Sequence, residues 1–252
     1  QVWPILYPNY TYSFYPVYCN LFGIEYRTVP LKEDFSIDVD DYETANGGIV
    51  IANPNAPTGM AMPLEQIQKL LDFNHESVVI VDEAYVDFGA ESAVSLIDRY
   101  ENLLVVQTFS KSRSLAGMRI GYALGSETLI DGLERVKNSF NSYPLDTLAI
   151  KTGVAALEDQ PYFEQTRQAI IESRRWLTHE LQQLGFEVLP SKANFVFASH
   201  LEKDSSDLYQ QLREKGLLVR YFNKPGIDRY LRITVGNQDE VEALVEALRT
   251  LL

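Results

Sequence analysis

The stretch Leu103-Leu-Val-Val-Gln-Thr-Phe-Ser-Lys111 decides how this chain folds. Its first four residues are apolar without alternation, which is typical of a parallel β-strand buried on both faces. Similar apolar runs occur in Gly48-Ile-Val-Ile-Ala-Asn53 and Ser77-Val-Val-Ile-Val-Asp82. Helical patterns alternate with these runs over about the first 140 residues, and this alternation predicts a doubly wound α/β sheet.

The pattern changes after about residue 145. Long helical patterns are followed by short apolar runs, which predict strands at Phe186–Leu189, Phe195–Ala198, Leu217–Arg220 and Tyr230–Val235. A last helix begins after Asn237, and Glu240 completes the pattern of a capping box. The sequence therefore predicts a large α/β domain over residues 1–150 and a small α+β domain over residues 151–252.

Polar side chains follow the predicted strands of the large domain. In an open α/β sheet, ligands bind at the carboxyl ends of the strands. Asn53 and Asn55 follow one strand, Asp82 ends the next, and Ser110 and Lys111 follow a third. We therefore expect these groups to converge on one site.

The residue types at this site indicate a particular chemistry. Lys111 follows a buried strand, and partial desolvation favours the neutral, nucleophilic form of a lysine. The hydroxyls of Thr108 and Ser110 and the guanidinium of Arg119 suit a phosphate monoester. Together they indicate a Schiff-base lysine beside a phosphate site, as pyridoxal 5′-phosphate requires.

A carboxylate and a phenol also fit the same cofactor. A carboxylate in a crevice needs a cation or good hydrogen-bond donors, and a pyridinium nitrogen would serve Asp82. Tyr85, three residues further on, would reach the phenolic oxygen of the ring. A strand that ends in Asp82-Glu83 also resembles the metal-binding acid of a P-loop NTPase, but the sequence contains no Gly-x-x-x-x-Gly-Lys-Ser/Thr motif.

Composition excludes some classes of function. The formal net charge of −13 argues against a nucleic acid or an anionic membrane as the main partner. The single cysteine, Cys19, excludes an intrachain disulfide and favours a reducing cytoplasm. No apolar run reaches the roughly 18 residues that a membrane span needs. His75, His179 and His200 lack the spacing of metal ligands, so no metal site is predicted.

Several motifs together resemble a known family. They are Asn53-Pro-Asn-Ala-Pro-Thr-Gly59, Val81-Asp-Glu-Ala-Tyr85, Thr108-Phe-Ser-Lys111 and Gly117-Met-Arg119. These motifs look like those of the class I/II, fold-type I aminotransferases, and within them like those of the histidinol-phosphate aminotransferases. Tyr12-Ser-Phe-Tyr15 and Tyr230-Leu-Arg-Ile-Thr-Val-Gly236 are similar to two further segments of that family. The resemblance covers essentially the whole chain and implies a mostly parallel large-domain sheet with helices on both faces, plus a small C-terminal domain.

The resemblance also implies roles for individual residues. Lys111 would bind the cofactor and move a proton at the substrate's α-carbon. Asp82 would contact the pyridine nitrogen, Tyr85 the ring hydroxyl and Tyr12 the ring face. The cofactor phosphate would be bound by Ser110 and Arg119, together with Thr108. Arg232 would bind the substrate anion, and Arg220 is a second candidate for that anion. Ala56 stands where the family has a ring-binding asparagine, so Asn55 or Asn53 is expected to replace it.

The implied reaction is transamination of a phosphorylated amino alcohol, histidinol phosphate, with 2-oxoglutarate in a cytoplasmic homodimer. The resemblance further implies an N-terminally incomplete large domain, without the family's N-terminal arm or its glycine-rich, phosphate-binding turn. Threonine-phosphate decarboxylase and an aromatic aminotransferase are alternatives with the same fold. An alternative of another class is an inactive, shortened fragment or a scaffold that dimerises without turnover.

Overall fold

A six-stranded sheet forms the first part of the structure, a computed structural model that describes residues 3–252. The strand order is β2-β1-β3-β4-β5-β6, and every neighbouring pair is parallel except β5 and β6. The strands are β1 (Ile5–Pro8), β2 (Tyr26–Val29), β3 (Ile49–Ala52), β4 (Val79–Asp82), β5 (Leu103–Thr108) and β6 (Gly121–Gly125). The prediction of a mostly parallel α/β sheet is confirmed.

Helices cover this sheet and continue into the second part of the chain. They are α1 (Tyr15–Phe22), α2 (Leu64–Phe73), α3 (Glu127–Phe140), α4 (Thr147–Glu158), α5 (Gln160–Gln183), α6 (Ser205–Glu214) and α7 (Gln238–Leu251). Helix α2 shows why the chain folds in this way. Its Ile67, Leu70 and Leu71 share one helical face, are fully buried, and pack in the same core as Ile49 and Val79 of the sheet.

The register of the central strands aligns their carboxyl ends. Ala52 of β3 pairs with Asp82 of β4, and Asp82 pairs with Val106 of β5. Because the three strands run parallel, the loops that follow them leave the sheet at the same edge. This alignment places the segments around Asn55, Tyr85 and Lys111 next to one another.

A four-stranded antiparallel sheet forms the second part of the structure, with the order β7-β8-β10-β9. Its strands are β7 (Phe186–Val188), β8 (Phe195–His200), β9 (Arg220–Tyr221) and β10 (Leu231–Thr234). Leu177 of α5, Leu212 of α6 and Leu248 of α7 are fully buried in its core. The predicted capping box between Asn237 and Glu240 is confirmed at the start of α7. The predicted domain boundary at residue 150 falls within α4 and stays a prediction.

Two predicted strands begin later than expected. The strand predicted from Leu217 begins at Arg220, because Gly216 has a φ of 80° and the Leu217 N–H donates to the carbonyl oxygen of Leu212. The run Arg119-Ile-Gly-Tyr-Ala-Leu124 also predicts a strand, but this strand begins at Gly121, because Arg119 has a left-handed backbone with φ 56°. Arg119 therefore lies in the turn before β6 and not in the sheet.

A buried arginine joins the two parts of the chain. Arg174 of α5 donates from Nη1 to the carbonyl oxygens of Phe88 (2.9 Å) and Ala193 (2.6 Å). Phe88 follows β4, and Ala193 precedes β8. The guanidinium thus fixes the loop after β4 relative to the start of β8. Among residues 3–252, no helix is both long enough and apolar enough to cross a membrane.

Candidate active site

A cavity of about 430 Å³ lies at the carboxyl ends of β3, β4 and β5, and we call it the strand-end cavity. It is lined by side chains from segments that are far apart in the sequence. Of the site residues predicted from the sequence, it gathers Tyr12, Asp82, Tyr85, Thr108, Ser110, Lys111 and Arg119. Their convergence in one cavity is a finding of the structure, whereas the individual roles stay predictions.

Asp82 provides the carboxylate of this cavity. Oδ2 accepts a hydrogen bond from the Tyr15 hydroxyl (2.8 Å), and Oδ1 accepts one from the Ala84 N–H (3.2 Å). Burial raises the pKa of the Asp82 carboxyl, although both hydrogen bonds and the charge of Lys111 oppose this rise. No Lys, Arg or His nitrogen in residues 3–252 lies within 4 Å of it as an ion-pair partner. The cavity therefore has a place for a cation.

Lys111 and Tyr85 lie together on another wall. The Lys111 Nζ is 5.4 Å from the centroid of the Tyr85 ring, and no carboxylate of the described chain pairs with it. Burial raises the pKa of the Tyr85 hydroxyl, and the charge of Arg232 opposes this rise. An amine without an ion-pair partner, in a cavity that also holds a carboxylate, suits reaction with an aldehyde.

Hydrogen-bond donors cluster where β5 ends. The hydroxyl oxygens of Thr108 and Ser110 are 2.9 Å apart, and the Ser110 N–H donates to Thr108 Oγ1 (3.1 Å). Arg119 is exposed at the cavity edge and donates from Nη1 to the Ala116 carbonyl oxygen (2.8 Å). Its other guanidinium nitrogens are thus left to bind an anion such as a phosphate.

A second cavity of about 590 Å³ adjoins the first, because Tyr12 and Ala56 line both. We call it the arginine cavity, since Arg220 and Arg232 line it. Arg232 is half-buried, its guanidinium lies 5.1 Å from the centroid of the Phe195 ring, and burial lowers its pKa. Both arginines predicted to bind the substrate anion therefore face one cavity.

The structure does not bring Asn55 or Asn53 to the strand-end cavity. The Asn55 amide donates to the Tyr10 carbonyl oxygen (2.9 Å), and its oxygen accepts from Thr11 Oγ1 (2.8 Å). Asn53 bonds through both ends of its amide to the backbone of Met62. Because these amides are used within the loop that follows β3, neither takes the place expected for the family's ring-binding asparagine, and Ala56 lines the cavity instead.

Sequence reasoning missed two residues that contact this site. Tyr15 bonds to Asp82, and Phe195 packs edge-on against Tyr85 with ring centroids 5.1 Å apart. The spacing of three residues between Tyr12 and Tyr15, at the start of a helix, was the signal in the sequence for the first contact. Nothing in the sequence around Phe195 indicates the second.

Glu83 points away from this chemistry. Its buried carboxylate accepts hydrogen bonds from Ser92 Oγ (2.6 Å), the Ala93 N–H (2.6 Å) and Gln107 Nε2 (2.7 Å). Both of its oxygens are occupied by protein donors. Glu83, the second acid of the Asp82-Glu83 pair, therefore has a structural role.

Comparisons with known proteins agree with this geometry. Residues 3–248 match the model of the family described as aminotransferase class I and II. The chain is 59% identical over 249 residues to histidinol-phosphate aminotransferase 1 of Hydrogenovibrio crunogenus, covering 99% of this chain and 70% of that protein. It is 60% identical over 247 residues to histidinol-phosphate aminotransferase 2 of Dechloromonas aromatica, covering 98% of this chain and 69% of that protein.

A solved structure shows the same fold. The histidinol-phosphate aminotransferase of Clostridium acetobutylicum superposes with a TM-score of 0.92 at 24% identity, over 99% of this chain and 78% of that one. The family match extends over nearly the whole chain, and the relatives share more than half of its residues. The chain therefore belongs to the class I and II aminotransferase family.

Proposed function

We propose that the chain is a pyridoxal 5′-phosphate-dependent aminotransferase that converts histidinol phosphate and 2-oxoglutarate into imidazole-acetol phosphate and glutamate. One observation carries the proposal. Lys111 and Asp82 line a single cavity, and this cavity opens toward two arginines that lack carboxylate partners within the described chain. The histidinol-phosphate aminotransferases of Hydrogenovibrio crunogenus and Dechloromonas aromatica, to which the chain is similar, support the choice of substrate.

The residues of the strand-end cavity fit the cofactor of this family. When bound, pyridoxal phosphate supplies an aldehyde that condenses with amines and a protonated ring that withdraws electrons from the attached carbon. Asp82 would hold the ring nitrogen, because its buried carboxylate has no cation within the described chain. Tyr85 would donate to the ring oxygen, and Tyr12 would cover the ring face. Ser110, Thr108 and Arg119 would bind the phosphate.

Lys111 would act at two stages. Its Nζ would hold the cofactor, and the same amine, once free, would take the proton from the substrate's α-carbon. The Tyr85 ring, whose centroid is 5.4 Å from Nζ, would flank this amine. A base held on one side of the substrate would remove the α-proton from that face only.

Arg232 and Arg220 would bind the anion of each substrate in turn. A guanidinium fits carboxylate and phosphate oxygens equally well, so one site serves both glutamate and histidinol phosphate. The ring centroids of Phe195 and Phe222 lie 5.1 and 5.7 Å from the Arg232 guanidinium, and these cation–π contacts would orient it. The anion site would therefore select its ligands by charge.

We also propose that the chain works in the cytoplasm as a homodimer. The side chains Phe14, Tyr18 and Phe22 are exposed on or next to α1, close to the strand-end cavity that Tyr18 also lines. Aromatic side chains are enriched in protein interfaces. A second copy would cover this surface, and its presence would be measured as the mass in solution.

The test is a visible absorption spectrum of the purified chain with pyridoxal phosphate. We expect a band near the visible edge in the wild type and in Lys215→Ala, whose lysine is exposed and does not line the cavity, but not in Lys111→Ala. Glutamate and histidinol phosphate should each bleach the band and yield 2-oxoglutarate and imidazole-acetol phosphate. A band that neither amine changes, or carbon dioxide as the product from threonine phosphate, contradicts the proposal.

A further inference from the structure

Tyr15 is the first residue of α1, and its side chain is 9% exposed. Its hydroxyl donates to Asp82 Oδ2 at 2.8 Å, while the Ala84 N–H donates to Oδ1. Each carboxylate oxygen thus has one protein donor and keeps further acceptor capacity. The two donors come from different elements, and together they fix the plane of the carboxylate.

Tyr15 also supports a second residue of the strand-end cavity. Its ring packs edge-on against Tyr12, with centroids 5.6 Å apart and an angle of 83° between the rings. Its N–H donates to the Tyr12 carbonyl oxygen at 3.3 Å. Tyr12 is 48% exposed and lines the cavity, whereas Tyr15 lies behind it. One buried side chain therefore contacts both the carboxylate and the aromatic ring that face the cofactor position.

We propose that Tyr15 is a positioning residue that holds Asp82 ionised and oriented toward the cofactor ring and at the same time holds Tyr12 against the ring face. This inference rests on the proposed function. A hydrogen bond to a carboxylate favours the charged form, which burial disfavours. Without the Tyr15 hydroxyl, Asp82 would be ionised less readily and would attract a protonated ring nitrogen less strongly.

The variant Tyr15→Phe keeps the ring and removes only the hydroxyl. We expect the Kd of pyridoxal phosphate for the apoprotein, from quenching of protein fluorescence, to rise about tenfold, which corresponds to roughly 1.4 kcal/mol. The midpoint pH of the visible band should also rise, because a ring that is protonated less of the time repels the proton on the lysine nitrogen less. Turnover should fall while KM for glutamate stays within about twofold.

Tyr42→Phe is the matched control. Tyr42 is 1% exposed in the core of the large sheet, and its hydroxyl has no hydrogen-bond partner within residues 3–252. This change should leave the Kd and the midpoint pH as in the wild type. Equal effects of Tyr15→Phe and Tyr42→Phe would overturn the inference. A wild type that binds no pyridoxal phosphate would instead contradict the proposed function.

A double-mutant cycle with Asp82→Asn tests whether Tyr15 acts through Asp82. In the Asp82→Asn protein, Tyr15→Phe should change the Kd by less than about twofold, whereas additive effects would show that the two residues act separately. If Tyr15→Phe does not fold, 3-fluorotyrosine at position 15 keeps the ring and makes the hydroxyl a stronger donor. The Kd should then fall, and an unchanged or higher Kd contradicts the inference.

Discussion

Arg232 of β10 lies directly opposite Arg220 of β9 in the antiparallel register, and its Nε is buried without a hydrogen-bond partner among the described residues. Like charges at directly opposite positions destabilise a sheet. Within residues 3–252, no carboxylate lies within 4 Å of either guanidinium. A bound anion would relieve this repulsion and give the buried nitrogen a partner, and this supports the proposed anion site.

We predict that Arg232→Lys raises KM for glutamate and for histidinol phosphate by roughly 10- to 100-fold. A lysine keeps the charge but loses the planar fork, and hydrogen bonds to charged groups contribute about 1.5–3 kcal/mol. Steady-state kinetics measures the change. Arg229→Lys is the control, because Arg229 is exposed, pairs with Glu187 at 3.3 Å, and should keep the wild-type KM. Equal KM values in both variants would argue against the anion site.

The second prediction concerns Asp82→Asn and pH. Burial raises the pKa of Asp82 in the folded apoprotein above its value in the unfolded chain. Because the pKa is higher in the folded state, the Asp82 carboxyl stabilises the fold at pH values below its pKa in the unfolded chain, near 3.9. This stabilisation is lost as the pH rises through the pKa of the folded state. Asp82→Asn removes this loss. The variant apoprotein should therefore be more stable than the wild type at pH 7, and the difference should shrink as pH falls toward 4.

Thermal unfolding of both apoproteins between pH 4 and pH 7 measures this difference. Asp82→Asn should at the same time bind pyridoxal phosphate more weakly, because an amide does not neutralise a pyridinium. A stability difference that is constant over this pH range would mean that burial of the carboxylate has no cost. The expected combination is a more stable apoprotein with weaker cofactor binding. It would mean that Asp82 serves cofactor binding at a cost to the stability of the fold.

The third prediction concerns the buried guanidinium of Arg174. Arg174→Met would leave the carbonyl oxygens of Phe88 and Ala193 without their donor, at a cost of about 1–3 kcal/mol for each group, partly offset by the loss of a buried charge. The unfolding temperature should fall by several degrees, since about 1 kcal/mol corresponds to roughly 2–4 °C in a chain of this size. The neighbouring Arg175 is exposed, so Arg175→Met should unfold within about 1 °C of the wild type.

The large sheet could be predicted because buried parallel strands have a simple signature. The runs that end at Asn53, Asp82 and Gln107 are apolar on both faces, and the chemistry follows their last residues. Asp82 and Lys111 were placed correctly in one cavity for this reason. The rule that ligands bind at the carboxyl ends of parallel strands depends only on the strand direction, which the apolar runs already imply.

Contacts between distant segments could not be predicted in this way. The bond between Tyr15 and Asp82 joins residues 67 positions apart and depends on how α1 lies against β4. The sequence does not show that the Asn55 amide bonds to Tyr10, Thr11 and Thr58, and these bonds keep it out of the strand-end cavity in the structure. Side-chain hydrogen bonds inside a loop are settled by its three-dimensional path, which composition does not encode.

The last prediction concerns Gly226, in the loop that borders the arginine cavity. Gly226 has a φ of 90°, and an added Cβ would lie 2.0 Å from the Tyr10 hydroxyl oxygen. That hydroxyl donates to the Pro225 carbonyl oxygen (2.8 Å), and Lys224 Nζ donates to the Asn9 carbonyl oxygen (2.8 Å). These bonds join the loop after β9 to the loop after β1 at the wall of the arginine cavity.

Gly226→Ala should therefore separate the two loops and also strain the backbone. Gly216→Ala is the matched control, because Gly216 has a φ of 80° and no heavy atom within 4 Å of an added Cβ. The control carries only the left-handed backbone cost of about 1–2 kcal/mol. We expect both variants to lose stability, but only Gly226→Ala should raise KM for both substrates. An equal loss of stability with unchanged KM in both would mean that the contact between these loops does not shape the anion site.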